Sequence, residues 1–161
     1  MKMLVVYESK YGNTEIIAQA LADKFSKVIP VELASLNGPM PSIAGFDVVL
    51  VGGPTQKHGI SPTLRVFLDD MPPDALTGVR TAAFDTRLRG VKLLTGSAAG
   101  HIGSALAKKG GQLIADPESF LVTAGEGPLA AGELERARTW ADFILEVSGL
   151  TTPELIEAGR P

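Results

Sequence analysis

The sequence has no cysteine. That excludes disulfides, thiolate metal sites, iron–sulfur clusters and cysteine nucleophiles together, and it suits a reducing compartment. Aromatic residues are scarce at 6%, so a core must be built mainly from Leu, Val, Ile and Ala. No basic surplus exists. The 15 Lys and Arg against 18 Asp and Glu leave a net charge of -3, with no face to neutralise the phosphates of a nucleic acid. No apolar run approaches the ~20 residues of a membrane span. Met1-Lys2-Met3-Leu4-Val5-Val6 enters a strand pattern at once, without the charged region and longer apolar run of a signal peptide. A cytoplasmic location is expected.

What is present points to one domain of 161 residues, 45% of them hydrophobic, enough to bury a sizeable core. Short apolar runs alternate with longer amphipathic stretches. Met3–Tyr7 is continuously apolar, the mark of a strand covered on both faces. Thr14–Val28 carries Ile16, Ile17, Ala20, Leu21, Lys24 and Phe25 at helical spacing. Val28–Leu33, Phe46–Val51 and Val79–Phe84 read as the second, third and fourth strands. Thr63–Met71 reads as a helix with Leu64, Phe67 and Leu68 inward and Pro62 near its first turn. Ser97–Lys109 reads as another, closed by Gly110-Gly111. Gln112–Ala115 and Phe120–Val122 are two pieces of a fifth strand, broken by Asp116-Pro117. Gly132–Val147 is the last helix, with Leu134, Ala137, Ala141, Ile144 and Leu145 inward. Residues 1–148 form the domain and 149–161 a C-terminal tail to which no function is assigned.

Five strands alternating with about five helices mean a doubly wound parallel sheet in three layers. Ligands in such folds sit beyond the carboxyl ends of the strands. The segments to inspect are therefore Glu8–Thr14, Gly52–Ser61, Asp85–Thr95 and Ala124–Leu129. In the first, a strand runs through Glu8 into Ser9-Lys10-Tyr11-Gly12-Asn13-Thr14 and then a helix. Unpaired amides and partial positive charge at a helix N-terminus attract an anion. Ser9, Tyr11, Asn13 and Thr14 add donors, and Gly12 lets the backbone turn. The loop lacks the Gly-Lys-Ser/Thr ending of a triphosphate loop and the Gly-x-Gly-x-x-Gly of a dinucleotide site, so a monophosphate is expected. The plainer alternative is that Asn13-Thr14 only cap the helix.

These residues resemble the opening of a flavodoxin, where the strand is followed by a loop ending Thr/Ser/Tyr-Gly-Asn-Thr. The resemblance extends in element order across nearly all of Met1–Val147, including Gly52-Gly53-Pro54-Thr55 after the third strand. It implies the strand order 2-1-3-4-5 and FMN as cofactor. By position, Ser9, Lys10, Tyr11, Gly12, Asn13 and Thr14 would hold the phosphate, while Pro54, Thr55, Gln56, Lys57, His58, Gly59, Asp85, Thr86 and Arg87 would flank the ring. The sequence departs from the family at both ring-stacking positions. Gln56, Lys57 or His58 stands where the second loop has an aromatic, and Phe84-Asp85-Thr86-Arg87-Leu88-Arg89-Gly90 contains no Tyr. Stacking on an aromatic is typically worth ~1–3 kcal/mol per base, so FMN affinity should be weaker than in a tight carrier. Arg87 and Arg89, if beside the ring, would favour its reduced anion and raise the potential; otherwise they face solvent. His58 is a ring neighbour or an exposed loop residue.

Other motifs carry less. Thr95-Gly96-Ser97-Ala98-Ala99-Gly100-His101-Ile102-Gly103 resembles the glycine pattern of short-chain dehydrogenases, but its last glycine is one place late and it follows the fourth strand. Ser97 is expected to be an N-cap instead, with the Ala and Gly residues packing the helix on the sheet. His101 has no second histidine or carboxylate pair beside it for a metal site. Ala124–Leu129 either approaches the ring or is a Gly-Pro turn. A receiver domain of a two-component system needs an acidic pair, an Asp and a Lys where this chain has Glu8 alone, Pro54-Thr55 and Ala124. The reading is an FMN-binding electron carrier serving redox partner proteins or a small acceptor. The alternatives are an FMN-dependent NAD(P)H:quinone or small-molecule reductase, and a binding protein of the same fold that has lost FMN.

Overall fold

The apolar run Met3–Tyr7 becomes β1, at the interior of a parallel sheet, with all of its residues buried. A strand covered on both faces needs no polar alternation, which is why this run has none. The computed structural model, which describes residues 1–57, 59–90 and 96–150, continues with α1 (Asn13–Phe25), β2 (Val31–Ser35), β3 (Val48–Pro54), α2 (Pro62–Asp70) and β4 (Arg80–Leu88). After these come α3 (Ala98–Lys108), β5 (Gln112–Leu113), β6 (Glu118–Val122) and α4 (Glu133–Val147). The doubly wound α/β fold is as expected, with four helices among the described residues. The sheet runs β2-β1-β3-β4, and its fifth place is shared. β5 pairs with Arg80 and Thr81 at the start of β4, and β6 pairs with Phe84–Leu88 at its end. The break around Asp116-Pro117 separates the two pieces.

Period-two alternation sorts the core into two layers. Met3, Val5 and Tyr7 face α1 and α4, where Ile17, Leu21, Phe25, Trp140 and Ile144 cover them. Leu4, Val6, Val49 and Val51 face α2 and α3, against Leu64, Leu68, Ile102 and Leu106. Phe84, Phe120 and Trp140 meet edge to face at 6.0–6.4 Å between centroids. The Phe84 ring leaves no room above Gly52, where a Cβ would lie 2.2 Å from it.

Several boundaries differ from the expectation. Val28 and Ile29 do not open β2; their amides bond back to the Phe25 carbonyl at 2.9 and 3.1 Å and finish the turn after α1. β3 reaches Pro54 and β4 reaches Leu88, because Gly52–Pro54 pair with Phe84–Thr86 and β6 flanks the other side. Asp85, Thr86 and Arg87 are therefore strand, not loop: a ladder on both sides outweighs their polarity. Ile16 and Leu134 point outward, 47% and 37% exposed, while Ala18, Ala22 and Trp140 take buried places in their helices.

The outer edge of β6 is closed from within the chain. Glu133 Oε2 accepts the Leu121 amide at 2.7 Å, the Ala130 amide donates to the Leu121 carbonyl at 2.8 Å, and Arg136 donates to the Ser119 carbonyl. Arg136 also pairs with Glu118 at 2.5 Å and lies 4.8 Å from the Phe120 centroid. Burial pushes the Glu133 carboxyl up, but bonds from Arg136 and the Leu121 amide, with the charges of Arg136 and Arg89, outweigh it and hold the group below the usual range.

Candidate functional site

At the carboxyl end of β1 the chain turns through Gly12, which occupies the N-cap of α1 with φ 90° and ψ -9°, a conformation costly for other residues. The cap acceptor is Ser9: its Oγ takes the amide of Gly12 at 3.1 Å and that of Glu15 at 3.3 Å. Those two bonds use the Ser9 oxygen as acceptor only, so its hydroxyl can still donate one hydrogen bond. Asn13 and Thr14 are the first helical residues, not the cap, and their amides have no acceptor inside the helix. Two of the expected side-chain donors are engaged with protein. Asn13 Nδ2 donates to the Glu126 carbonyl at 3.1 Å, and Thr14 Oγ1 lies 2.8 Å from Thr86 Oγ1, buried. Tyr11 is half exposed, with Lys10 Nζ 5.2 Å from its ring centre. Beneath the loop the Tyr7 hydroxyl donates to Glu15 at 3.2 Å. Burial pushes its pKa up; a bond with Ser35 opposes this, and Glu15 adds to the rise, so Tyr7 is a neutral donor.

The second segment is a tight hairpin. Gln56 and Gly59 exchange amide-to-carbonyl bonds, both 2.8 Å, and Lys57 at the tip adopts φ 45°. Thr55 is anchored on both sides: its amide donates to the Thr86 carbonyl at 2.9 Å, and its hydroxyl donates to Asp85 at 3.1 Å. Ahead of it, Glu8 accepts the Ser61 hydroxyl, and Ser61 Oγ caps α2 by accepting the Leu64 amide at 3.1 Å.

Between these segments lies a cleft of about 320 Å³. Ser9, Lys10, Tyr11, Asn13, Thr14, Pro54, Thr55, Gln56, Lys57, Thr86 and Arg87 line it, together with Leu88, Val122 and Gly125, which the sequence-based site did not include. Gly125 belongs to the Ala124–Leu129 segment, which Asn13 ties to the cleft. Gly12 contributes backbone to the loop and Gly59 closes the hairpin, beside His101 on α3. His58 lies outside the described residues. Asp85 does not line the cleft; it is fully buried behind Thr55. Of the two arginines, Arg87 folds over the end of β4, donating to the Leu88 and Gly90 carbonyls at 3.2 Å each, and Arg89 is exposed with its charge acting on Glu133. Tyr11 is the one aromatic among the described lining residues. The described lining residues include Lys10, Lys57 and Arg87 and no carboxylate. Ser97 stands at the N-cap position of α3, but its hydroxyl donates to Asp85 and does not cap the helix. Among the described residues no cluster of His, Asp or Glu could hold a metal ion, and no helix is long and apolar enough to cross a membrane.

A family model described as Flavodoxin domain matches residues 4–92, which span β1 to just past β4 and contain both cleft-forming segments. The chain belongs to the flavodoxin family. Solved structures agree on the flavodoxin fold. An oxidised flavodoxin 1 from Bacillus cereus superposes with a TM-score of 0.77 at 19% identity, over 94% of this chain and 100% of that one. A WrbA-like flavodoxin from Agrobacterium tumefaciens gives 0.71 at 20% identity, over 92% and 97%. In rubredoxin oxygen:oxidoreductase from Desulfovibrio gigas the match is 0.70 at 23%, over 92% of this chain but 36% of the larger one. This flavodoxin domain thus shares its architecture both with whole small proteins and with part of a larger one.

Proposed function

We propose that this flavodoxin-family chain binds FMN in the cleft and passes electrons between redox partner proteins or to a small acceptor. The observation that carries the reading is the inverted charge of the cleft. Among the described residues, Lys10 and Lys57 line it near the start of α1 and no carboxylate does, in a chain with a net charge of -3. Such a place suits an anion. The donor set fits a phosphate: the opening amides of α1, the hydroxyl of Ser9 and the ammonium of Lys10. The adjoining surfaces of Pro54–Lys57 and Thr86–Leu88 suit a flat ring, held by polar and aliphatic contact with little stacking. When bound, the flavin supplies the redox chemistry, and the chain binds, orients and tunes it.

Titration of the apoprotein with FMN, followed by quenching of flavin fluorescence and by heat, tests this. Saturable binding is expected. Ser9→Ala should raise the Kd by about tenfold through loss of a donor to a charged group. No quenching, no colour and no heat would overturn the reading. Rapid oxidation of a nicotinamide nucleotide in the presence of a quinone would replace the carrier with a reductase.

A further inference from the structure

Asp85 is the most deeply buried acid among the described residues and is not among those lining the cleft. It is fully buried, and among the described residues no Lys, Arg or His nitrogen lies within 4.0 Å of it. One oxygen does all the bonding. Oδ2 accepts the Thr55 hydroxyl at 3.1 Å, the Ser97 hydroxyl at 2.9 Å and the Ala99 amide at 2.9 Å, while Oδ1 has no partner among the described residues. Thr55 Oγ1 in turn accepts the Ala98 amide at 2.9 Å. The start of α3 is thus capped by two side chains that come from other elements, β4 and the segment after β3.

For capping alone this is an expensive choice. Ser or Asn caps a helix without burying an unpaired charge, and a buried carboxylate with an idle oxygen costs several times more to desolvate. What the carboxylate adds is charge-assisted grip on two hydroxyls and an amide at once. One of those hydroxyls belongs to Thr55, a wall of the cleft. On the opposite face of β4 the next residue, Thr86, grips Thr14 of α1 and takes the Thr55 amide. Consecutive residues of one strand therefore tie the phosphate-binding segment and the ring wall to a common support.

We infer that Asp85 is a positioning residue for the ring: through Thr55 it fixes the Pro54–Lys57 wall against the start of α3, and its charge sits one hydroxyl behind that wall. This rests on the FMN reading above. The test compares wild-type protein, Asp85→Asn, Asp85→Ala and Thr55→Val by FMN affinity, midpoint potential of the bound flavin and melting temperature.

Thr55→Val should raise the Kd for FMN about tenfold and leave the potential where it is, because the carboxylate remains. Asp85→Asn should move the potential positive, since a buried negative charge beside the ring opposes its reduction. Asp85→Ala should do both; if it does not fold, the other two variants decide. Wild-type affinity in Thr55→Val together with wild-type potential in Asp85→Asn, with melting temperature alone lowered, would reduce Asp85 to a helix cap and overturn the inference. Failure of the wild-type protein to bind FMN would overturn the FMN reading itself, a different outcome from FMN-binding variants that match wild type.

Discussion

The two sides of the cleft are built by different means. The turn of the Ser9–Thr14 side is formed by near neighbours, Ser9 taking the amides of Gly12 and Glu15 three and six residues away, with Asn13 and Thr14 tying it further to Glu126 and Thr86. The Pro54–Lys57 side is held from afar, by Asp85 thirty residues beyond Thr55 and by the start of α3 forty-three residues beyond it. A loop made by near neighbours keeps its shape wherever its strand ends. A wall made by distant partners exists only once the sheet is assembled, so it is more exposed to changes elsewhere in the fold.

The largest disturbance of that contrast should come from Gly52→Ala. The new methyl would enter the Phe84 ring, and overpacking of this kind costs roughly 1–3 kcal/mol or more. Denaturant unfolding should show the loss, and FMN affinity should fall with it because β3 carries the ring wall. A loss under 0.5 kcal/mol, on the order of an ordinary surface change, would mean the strands shift freely at this point.

Acid should act next, through the clip on β6. The folded-state pKa of Glu133 is lowered, so its contribution is present above the ordinary carboxylate range and is lost as pH falls through the lowered value. Glu133→Gln should cost about 1–2 kcal/mol at neutral pH and make unfolding less sensitive to acid. Denaturation curves at neutral pH and near the lowered value check this; equal acid sensitivity in the two proteins would refute it.

Gly12→Ala strains only the local side. A left-handed residue other than glycine costs roughly 1–2 kcal/mol, and the effect should fall on FMN phosphate affinity and stability alike. Smallest of all should be the hydroxyl pair joining the two sides. In a double-mutant cycle, Thr14→Val and Thr86→Val should show a coupling of about 1 kcal/mol in stability, since either change alone strands a buried hydroxyl. A coupling of zero would make the two sides independent.

The same contrast explains what could be read in the chain. The Ser9–Thr14 loop, the split fifth strand and the inward set Leu64, Phe67 and Leu68 depend on nearby residues, and each is visible in spacing or in a Gly or Pro, whereas the strand order was implied only by the family resemblance. The length of β4 was not visible, because Asp85, Thr86 and Arg87 are polar and only pairing with β3 and β6 makes them strand. Nor was the placing of Asp85 behind the wall, since its three donors come from distant segments. Ile16 and Leu134 fit a helical stripe but fall on the side that the neighbouring helix leaves open. The Ser61 cap is legible from its place just before Pro62 at the start of α2.

The clip at β6 has one more consequence. A sheet ending in a bare strand offers its free amides and carbonyls to any passing extended chain. Here the Leu121 amide and both the Ser119 and Leu121 carbonyls are occupied by Glu133, Arg136 and Ala130. A second molecule finds these three rungs already taken, so the border that supports the cleft also hinders this side of the sheet from pairing with another copy.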